Sequence, residues 1–447
     1  MRWRRRNGRT AILVACALTV AALLGGCGAS PGPDVGPHFV TPPLIRYTTV
    51  LWPVPLQLVG AEPGSRLRLV ATVPTKRGVW SSSATYTVPG TGTVDLAIER
   101  PQLARFTEPD SAGLFWSLRG PSLTPSEVLK LWMRTTLPVT IDVYDAGRVV
   151  ASRVFRLDGL GTTRGPITVY SSDLDAASAR AGDRRPPLGL PDPPPPTTHE
   201  NGPIGRFYSA TSIERPRTPA VVVFDDPALG ASADYVAPLL AQFGASVFVL
   251  PMARDADGLH AAGAIDSSTV AAVLDWLQSR PDVNARSIFA YGTSQSEQFA
   301  LWAAARFGGR FAGAIGAGGV SAHLCLAAGD FAPVFENGVG LRCVRDATQV
   351  DARSVIPLGS VRGPVVLGCA GHDAVLPNSC AWQRAVLATH TARASDRLVE
   401  APASTHAMTV PPGLPIALPS GDGQSTQKAR IAFWDAVGAV LLRAARQ

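Results

Sequence analysis

The sequence predicts an α/β protein, a doubly wound parallel sheet preceded by a small all-β sandwich. Three observations carry this. From residue 203 onward, apolar strand patterns alternate with helical ones, the arrangement that builds a parallel sheet with right-handed crossovers. From 46 to 170 the pattern is instead a succession of short alternating strands that no long helical period interrupts. Between the two, residues 171–202 hold Arg184-Arg185-Pro186-Pro187 and Pro193-Pro194-Pro195-Pro196, a stiff solvated linker that belongs to neither core.

The sandwich strands are read at Leu56–Val59, Arg66–Val73, Ser83–Val88, Val94–Ile98, Leu137–Val143 and Val149–Phe155. In the second unit, 203–447, the strand Ala220–Phe224 leads to a helix near 232–243. The strand Ser246–Leu250 leads to a helix near 267–279, and a final helix near 425–445 closes the chain. At 447 residues with 46% apolar and 17% charged side chains, the chain is long enough for two sizeable cores.

The segment Ser287-Ile288-Phe289-Ala290-Tyr291-Gly292-Thr293-Ser294-Gln295-Ser296 runs an apolar strand into Gly-x-Ser-x-Ser and then into a helix. This is the layout of a nucleophile elbow, in which a sharp turn lifts one hydroxyl above the sheet. The first N–H groups of the new helix then face the position of an oxyanion. Ser294 is the candidate nucleophile and the Gln295 N–H the first oxyanion donor.

An acid and a histidine follow in the order an α/β-hydrolase requires. Pro364–Ala370 reads as a buried strand delivering Asp373 into a glycine-containing loop, and Asp396–Pro402 is a short strand whose following loop carries His406. His406 would take the Ser294 proton, with Asp373 holding the imidazole tautomer. His38, His199 and His260 precede the serine and break that order. His323, His372 and His390 are better read as surface or hydrogen-bonded histidines, and Glu400, within a strand, is a poorer acid than Asp373.

The formal charge of +7 looks like a nucleic-acid signal. However, Arg2, Arg4, Arg5, Arg6 and Arg9 account for five of the 41 basic residues, and without them the charge is nearly balanced against 34 acidic ones. A nucleic-acid partner is not implied. Residues 1–26, Arg-rich and then apolar from Ala11 to Leu24, have the layout of a signal peptide. Leu24-Gly25-Gly26-Cys27 resembles a bacterial lipobox. Cleavage before Cys27 and lipidation of its thiol would anchor the protein to the outer leaflet of the plasma membrane, with 27–45 as a Pro- and Gly-rich tether. Cys325, Cys343, Cys369 and Cys380 then remain in an oxidising compartment, an even number that suggests two disulfides. Nearest-neighbour pairing, Cys325 with Cys343 and Cys369 with Cys380, is the preferred of three connectivities. No metal or redox cofactor is implied.

Over both units the chain resembles the acyl-CoA thioesterase and bile acid-CoA:amino acid N-acyltransferase family. Gly113-Leu114-Phe115-Trp116-Ser117-Leu118 is similar to a signature of its N-terminal sandwich. Ser294, Asp373 and His406 match its catalytic positions, and the His406 loop leads to Pro411-Pro412 as in that family. A serine nucleophile implies the thioesterase branch, an acyl thioester or ester substrate, and an acyl-enzyme intermediate. The glycine-rich loop of the family is here Asp225-Asp226-Pro227-Ala228-Leu229-Gly230. Pro227 has no N–H to offer, so Asp226 is assigned as the second oxyanion donor. An exported esterase or acyltransferase, and a non-catalytic acyl-binding lipoprotein, are the alternatives.

Overall fold

The computed structural model describes residues 36–40, 50–52, 54–122, 137–157, 167–170, 172–174, 203–212, 214–225, 235–251, 265–325, 331–336, 339–415 and 423–447. The proposed signal peptide, Cys27, most of the tether, most of the Pro-rich linker and Asp226 lie outside the described residues; at the start of the linker, 172–174 are described, and Leu174 is buried in the core that holds Val169, so this end belongs to the second unit. The N-terminal unit holds β1 (His38–Phe39), β2 (Gln57–Val59), β3 (Arg66–Thr75), β4 (Gly78–Thr87), β5 (Val94–Asp95), β6 (Leu103–Ala104), β7 (Leu137–Asp145) and β8 (Arg148–Leu157). They form a five-stranded sheet in the order β6-β4-β3-β7-β8 and a three-stranded sheet in the order β1-β2-β5, antiparallel throughout. Leu67, Leu69, Ala71 and Val73 of β3 are buried while the residues between them reach the surface, the alternation of a sheet with one wet face.

The second unit adds β9 (Ile167–Tyr170), β10 (Pro203–Tyr208), β11 (Thr218–Asp225), β12 (Ser246–Pro251), β13 (Ile265–Asp266), β14 (Val283–Thr293), β15 (Gly313–Ala317), β16 (Phe331–Glu336), β17 (Val339–Arg342), β18 (Val365–Ala370) and β19 (Arg397–Ala401). Eight of these make one sheet, β19-β18-β15-β14-β11-β12-β10-β9. The six strands from β19 to β12 are parallel, with β10 and β9 added antiparallel at one edge. Every residue of β11, β12, β15 and β18 is buried, because helices cover both faces. The chain folds as an α/β-hydrolase-type sheet preceded by a β-sandwich. Among the described residues no helix is long and apolar enough to cross a membrane.

Three boundaries differ from the sequence reading. Ile167–Tyr170 pairs with β10 rather than closing the sandwich, and Val169 packs in the same core as Phe207 and Phe248. A period of two identifies a strand but does not say which sheet receives it. His38–Phe39, read as tether, pairs with β2. Phe39 is buried edge-on to Phe155 at 5.2 Å, and its carbonyl accepts from Arg153 Nη1 at 3.0 Å. One buried phenylalanine contributes roughly 1.5–3 kcal/mol, enough to dock an otherwise Pro-rich segment. The strand expected at Val94–Ile98 stops at Asp95, whose carboxylate accepts from Ala97 N at 2.9 Å and turns the chain.

The two units do not have separate interiors. One continuous core runs from the sandwich strands through Trp116 to the face of the large sheet covered by helices Val236–Gln242 and Gly423–Ala444. Phe243 packs against Trp52 on one side and Trp434 on the other.

Candidate active site

Ser294 sits where β14 ends, with φ of 56°. A side chain in that left-handed region costs of order 1–3 kcal/mol and persists only where its surroundings impose it. They do so here by close packing. A Cβ on Gly292 would collide with the Ser296 carbonyl, and one on Gly319 would collide with the Ser294 carbonyl and lie 2.6 Å from Glu297 Cβ. The departure from Gly-x-Ser-x-Gly at Ser296 has a local reason. Its hydroxyl accepts from Thr293 N at 3.0 Å and donates to Thr293 O at 2.8 Å, closing the turn around Ser294.

The candidate acid comes from the loop after β18. Asp373 is buried, and its Oδ1 accepts from the N–H groups of Val375 and Leu376, both at 2.9 Å. Its Oδ2 lies 2.8 Å from His406 Nδ1. A carboxylate so placed only accepts, so Nδ1 carries the hydrogen and Nε2 is left as the acceptor. Nε2 lies 2.9 Å from Ser294 Oγ. The loops carrying acid and histidine are also tied to each other, Gly371 N to Ala401 O at 3.0 Å and His372 N to Ser404 O at 2.9 Å. The three predicted residues thus meet in one hydrogen-bonded chain at the carboxyl ends of β14, β18 and β19.

The other histidines lie elsewhere. His372 is exposed, and buried His390 faces Leu358 O and Asp396. Burial holds the His323 imidazole neutral, its pKa down at about 4. Glu400 pairs on the surface with Arg384. Cys325 is bonded to Cys343, and Cys369 to Cys380, the second pair bracketing the Asp373 loop. Gln295 lies in the short turn Ser294–Ser296 that opens helix Glu297–Arg306, which aims its N–H along the helix start.

Sequence reasoning missed Glu297. It is fully buried beneath the elbow, Oε2 accepting from Gly319 N at 2.7 Å and Oε1 from Gln383 Nε2 at 2.5 Å. Both donors favour the ionised form, but burial outweighs them and pushes its pKa up to about 8. A carboxylate opening a helix whose stretch Phe299–Ala305 is wholly apolar was the available signal. A cavity of about 520 Å³ lined by Trp302, Arg306, His323, Glu336, Arg342 and Arg353 includes none of the three converging residues.

This geometry can be set beside known proteins. Residues 52–157 match the family model described as the acyl-CoA thioester hydrolase/BAAT N-terminal region. The match covers β2 to β8 of the sandwich, including Gly113–Leu118, and ends with β8. No curated protein matches the sequence. Among solved structures, Est1E from Butyrivibrio proteoclasticus is similar at 15% identity and a TM-score of 0.35, over 54% of this chain and 95% of that one. The 2,6-dihydroxy-pseudo-oxynicotine hydrolase is similar at 15% identity and a TM-score of 0.35, over 54% of this chain and 65% of that one. The match to the acyl-CoA thioester hydrolase/BAAT N-terminal region model, followed in the chain by an α/β-hydrolase-type sheet, supports a hydrolase of esterase-like type.

Proposed function

We propose that the protein is a serine hydrolase that cleaves acyl thioesters through an acyl-enzyme intermediate. The observation that carries this is the chain Ser294 Oγ, His406, Asp373, with contacts of 2.9 and 2.8 Å, ending on a serine whose backbone is held at positive φ. His406 Nε2 takes the Ser294 proton as Oγ bonds to the acyl carbon, and the Gln295 N–H faces the developing oxyanion. Collapse breaks the carbon–sulfur bond, and His406 returns the proton to the leaving thiolate. Water, deprotonated by His406, then attacks the acyl-serine, releasing the acid and restoring the hydroxyl. Asp373 keeps the imidazole in the required tautomer and stabilises the imidazolium.

The match over residues 52–157 supports a thioester substrate. A second reading, an envelope lipid esterase or acyltransferase with the same three residues, is favoured by Leu24-Gly25-Gly26-Cys27. On that reading Cys27 is lipidated, the protein resides on the outer leaflet of a bacterial plasma membrane, and coenzyme A thioesters are scarce where it works. Asp226 N–H is the proposed second oxyanion donor in both. The test is a comparison of kcat/KM for full-length protein across acyl-CoA thioesters and simple acyl esters of matched chain length. Higher kcat/KM for thioesters supports the first reading, a uniform preference for oxygen esters supports the second, and inertness toward both with no Ser294 labelling by a fluorophosphonate overturns the enzyme reading. Fatty-acid analogue incorporation that Cys27→Ala abolishes is the expected result for the anchor; equal incorporation in the variant rules it out.

A further inference from the structure

Helix Gly423–Ala444 carries an arginine with no surface exposure, Arg430. Among the described residues no carboxylate pairs with it. Its guanidinium instead donates to three carbonyls of the segment that follows His406. Nε reaches Ala407 O at 3.1 Å, Nη1 reaches Leu414 O at 2.6 Å and Nη2 reaches Pro415 O at 3.4 Å. A cation stripped of water and given no counter-charge is costly, and burying one residue of this kind in a core needs compensation from its partners. Burial and the nearby Arg119 guanidinium lower its pKa to about 9, which still leaves it charged at neutral pH.

The neighbouring positions act in the same direction. Thr426 Oγ1 accepts from Thr405 N at 3.1 Å, Gln427 Nε2 donates to Pro412 O at 3.1 Å, and Trp434 Nε1 donates to Thr409 O at 3.1 Å. The segment 405–415 is irregular apart from one short turn at His406–Thr409; within it Met408 N donates to Thr405 O, Val410 N to Ala407 O and Leu414 N to Pro411 O, while the carbonyls of Thr409, Pro412, Leu414 and Pro415 accept from outside it. One helix supplies those partners, and the arginine spans the segment's two ends. An ammonium could not, because it places its donors at one point, whereas the planar guanidinium fork reaches carbonyls seven and eight residues apart in sequence.

We infer that Arg430 is a positioning residue for the proposed reaction: it clamps the segment 407–415 so that His406 Nε2 stays in line with Ser294 Oγ. This rests on the reading of Ser294 and His406 given above. It assigns to the last helix, over a hundred residues beyond the serine, control of the geometry on which proton transfer depends.

The test compares wild type, Arg430→Lys and Arg430→Met as full-length proteins. Two readouts are taken: the rate constant and apparent affinity for fluorophosphonate labelling of Ser294, and the downfield proton NMR signal of His406 Nδ1–H. In folded variants the labelling rate constant should fall by about 100-fold for Arg430→Met, the loss expected of a misplaced catalytic group, with the probe's apparent affinity little changed. Arg430→Lys should lie between Met and wild type, and the Nδ1 signal should broaden in the same order. If folded Arg430→Met labels at the wild-type rate with an unaltered Nδ1 signal, the inference is overturned. Should Met not fold, the Lys variant decides by the same two criteria. A wild type that does not label at Ser294 would refute the hydrolase reading instead, and the Nδ1 signal would still report whether Arg430 sets His406.

Discussion

The serine and the histidine are held in different ways. Ser294 is fixed from within about five residues, by the Ser296 hydroxyl on Thr293 and by the absence of a side chain at Gly292, with Gly319 closing in from the next strand's loop. His406 is fixed from a distance, by Asp373 behind it and by Thr426, Gln427, Arg430 and Trp434 along a helix that begins 17 residues later. The first is chiefly a steric device, closed by one local hydroxyl, and the second a polar one. Steric fixation tolerates almost no substitution, whereas a set of separate hydrogen bonds is expected to fail by degrees.

The largest effects test whether the two halves form one unit. Ser294→Ala and His406→Ala should each lower kcat by about a million-fold and the double variant by little more, measured on whichever ester or thioester is turned over. Additive losses would mean that the residues act independently. Asp373→Asn should cost about ten-thousand-fold in kcat by favouring the wrong tautomer, read on the same substrate.

The next effects separate the two kinds of fixation. Gly319→Ala forces a methyl against the Ser294 carbonyl and should lower kcat by about 100-fold, with a lowered unfolding midpoint. Trp434→Phe removes one donor and leaves the Thr409 carbonyl unpaired, so it should cost about 1–3 kcal/mol of stability in denaturant unfolding while changing kcat less than Gly319→Ala does. The reverse ranking in kcat would break the comparison.

The smallest effect concerns Glu297. Its folded pKa of about 8 lies above the usual 4.5, so the folded state holds the proton more tightly. The associated stability is fully present below the lower value and is lost as pH rises toward the upper one. Glu297→Gln should therefore flatten the stability–pH profile between those limits, read from unfolding midpoints; identical profiles would mean that the carboxyl titrates normally.

The same contrast explains what was legible in the sequence. The elbow shows in ten consecutive residues because the turn is a local steric problem, and the Asp373 and His406 loops follow strands whose apolar runs are plain. Helix Ser267–Ser279 was placed at its observed ends; the structure adds its cap, Asp266, whose side chain accepts from Ser268 N. Arg430, Gln383 and Glu297 were not legible as site residues, since each acts across 20 to 90 residues of chain on a partner that only the fold brings near. The hint for Arg430 was an arginine interrupting the apolar stripe of Phe433, Val437 and Leu441, beside the one already noted for Glu297. The membership of Ile167–Tyr170 was likewise hidden, because both sheets accept the same alternation.

The left-handed backbone at Ser294 has an evolutionary consequence. A glycine there would relieve strain of order 1–3 kcal/mol and leave a sturdier protein with no nucleophile. Selection for durability alone would thus erase the serine, and on the proposed reading its presence at so unfavourable a position records selection for reactivity. In a lineage released from that demand, position 294 is where the first change toward a more stable, inert descendant should arise.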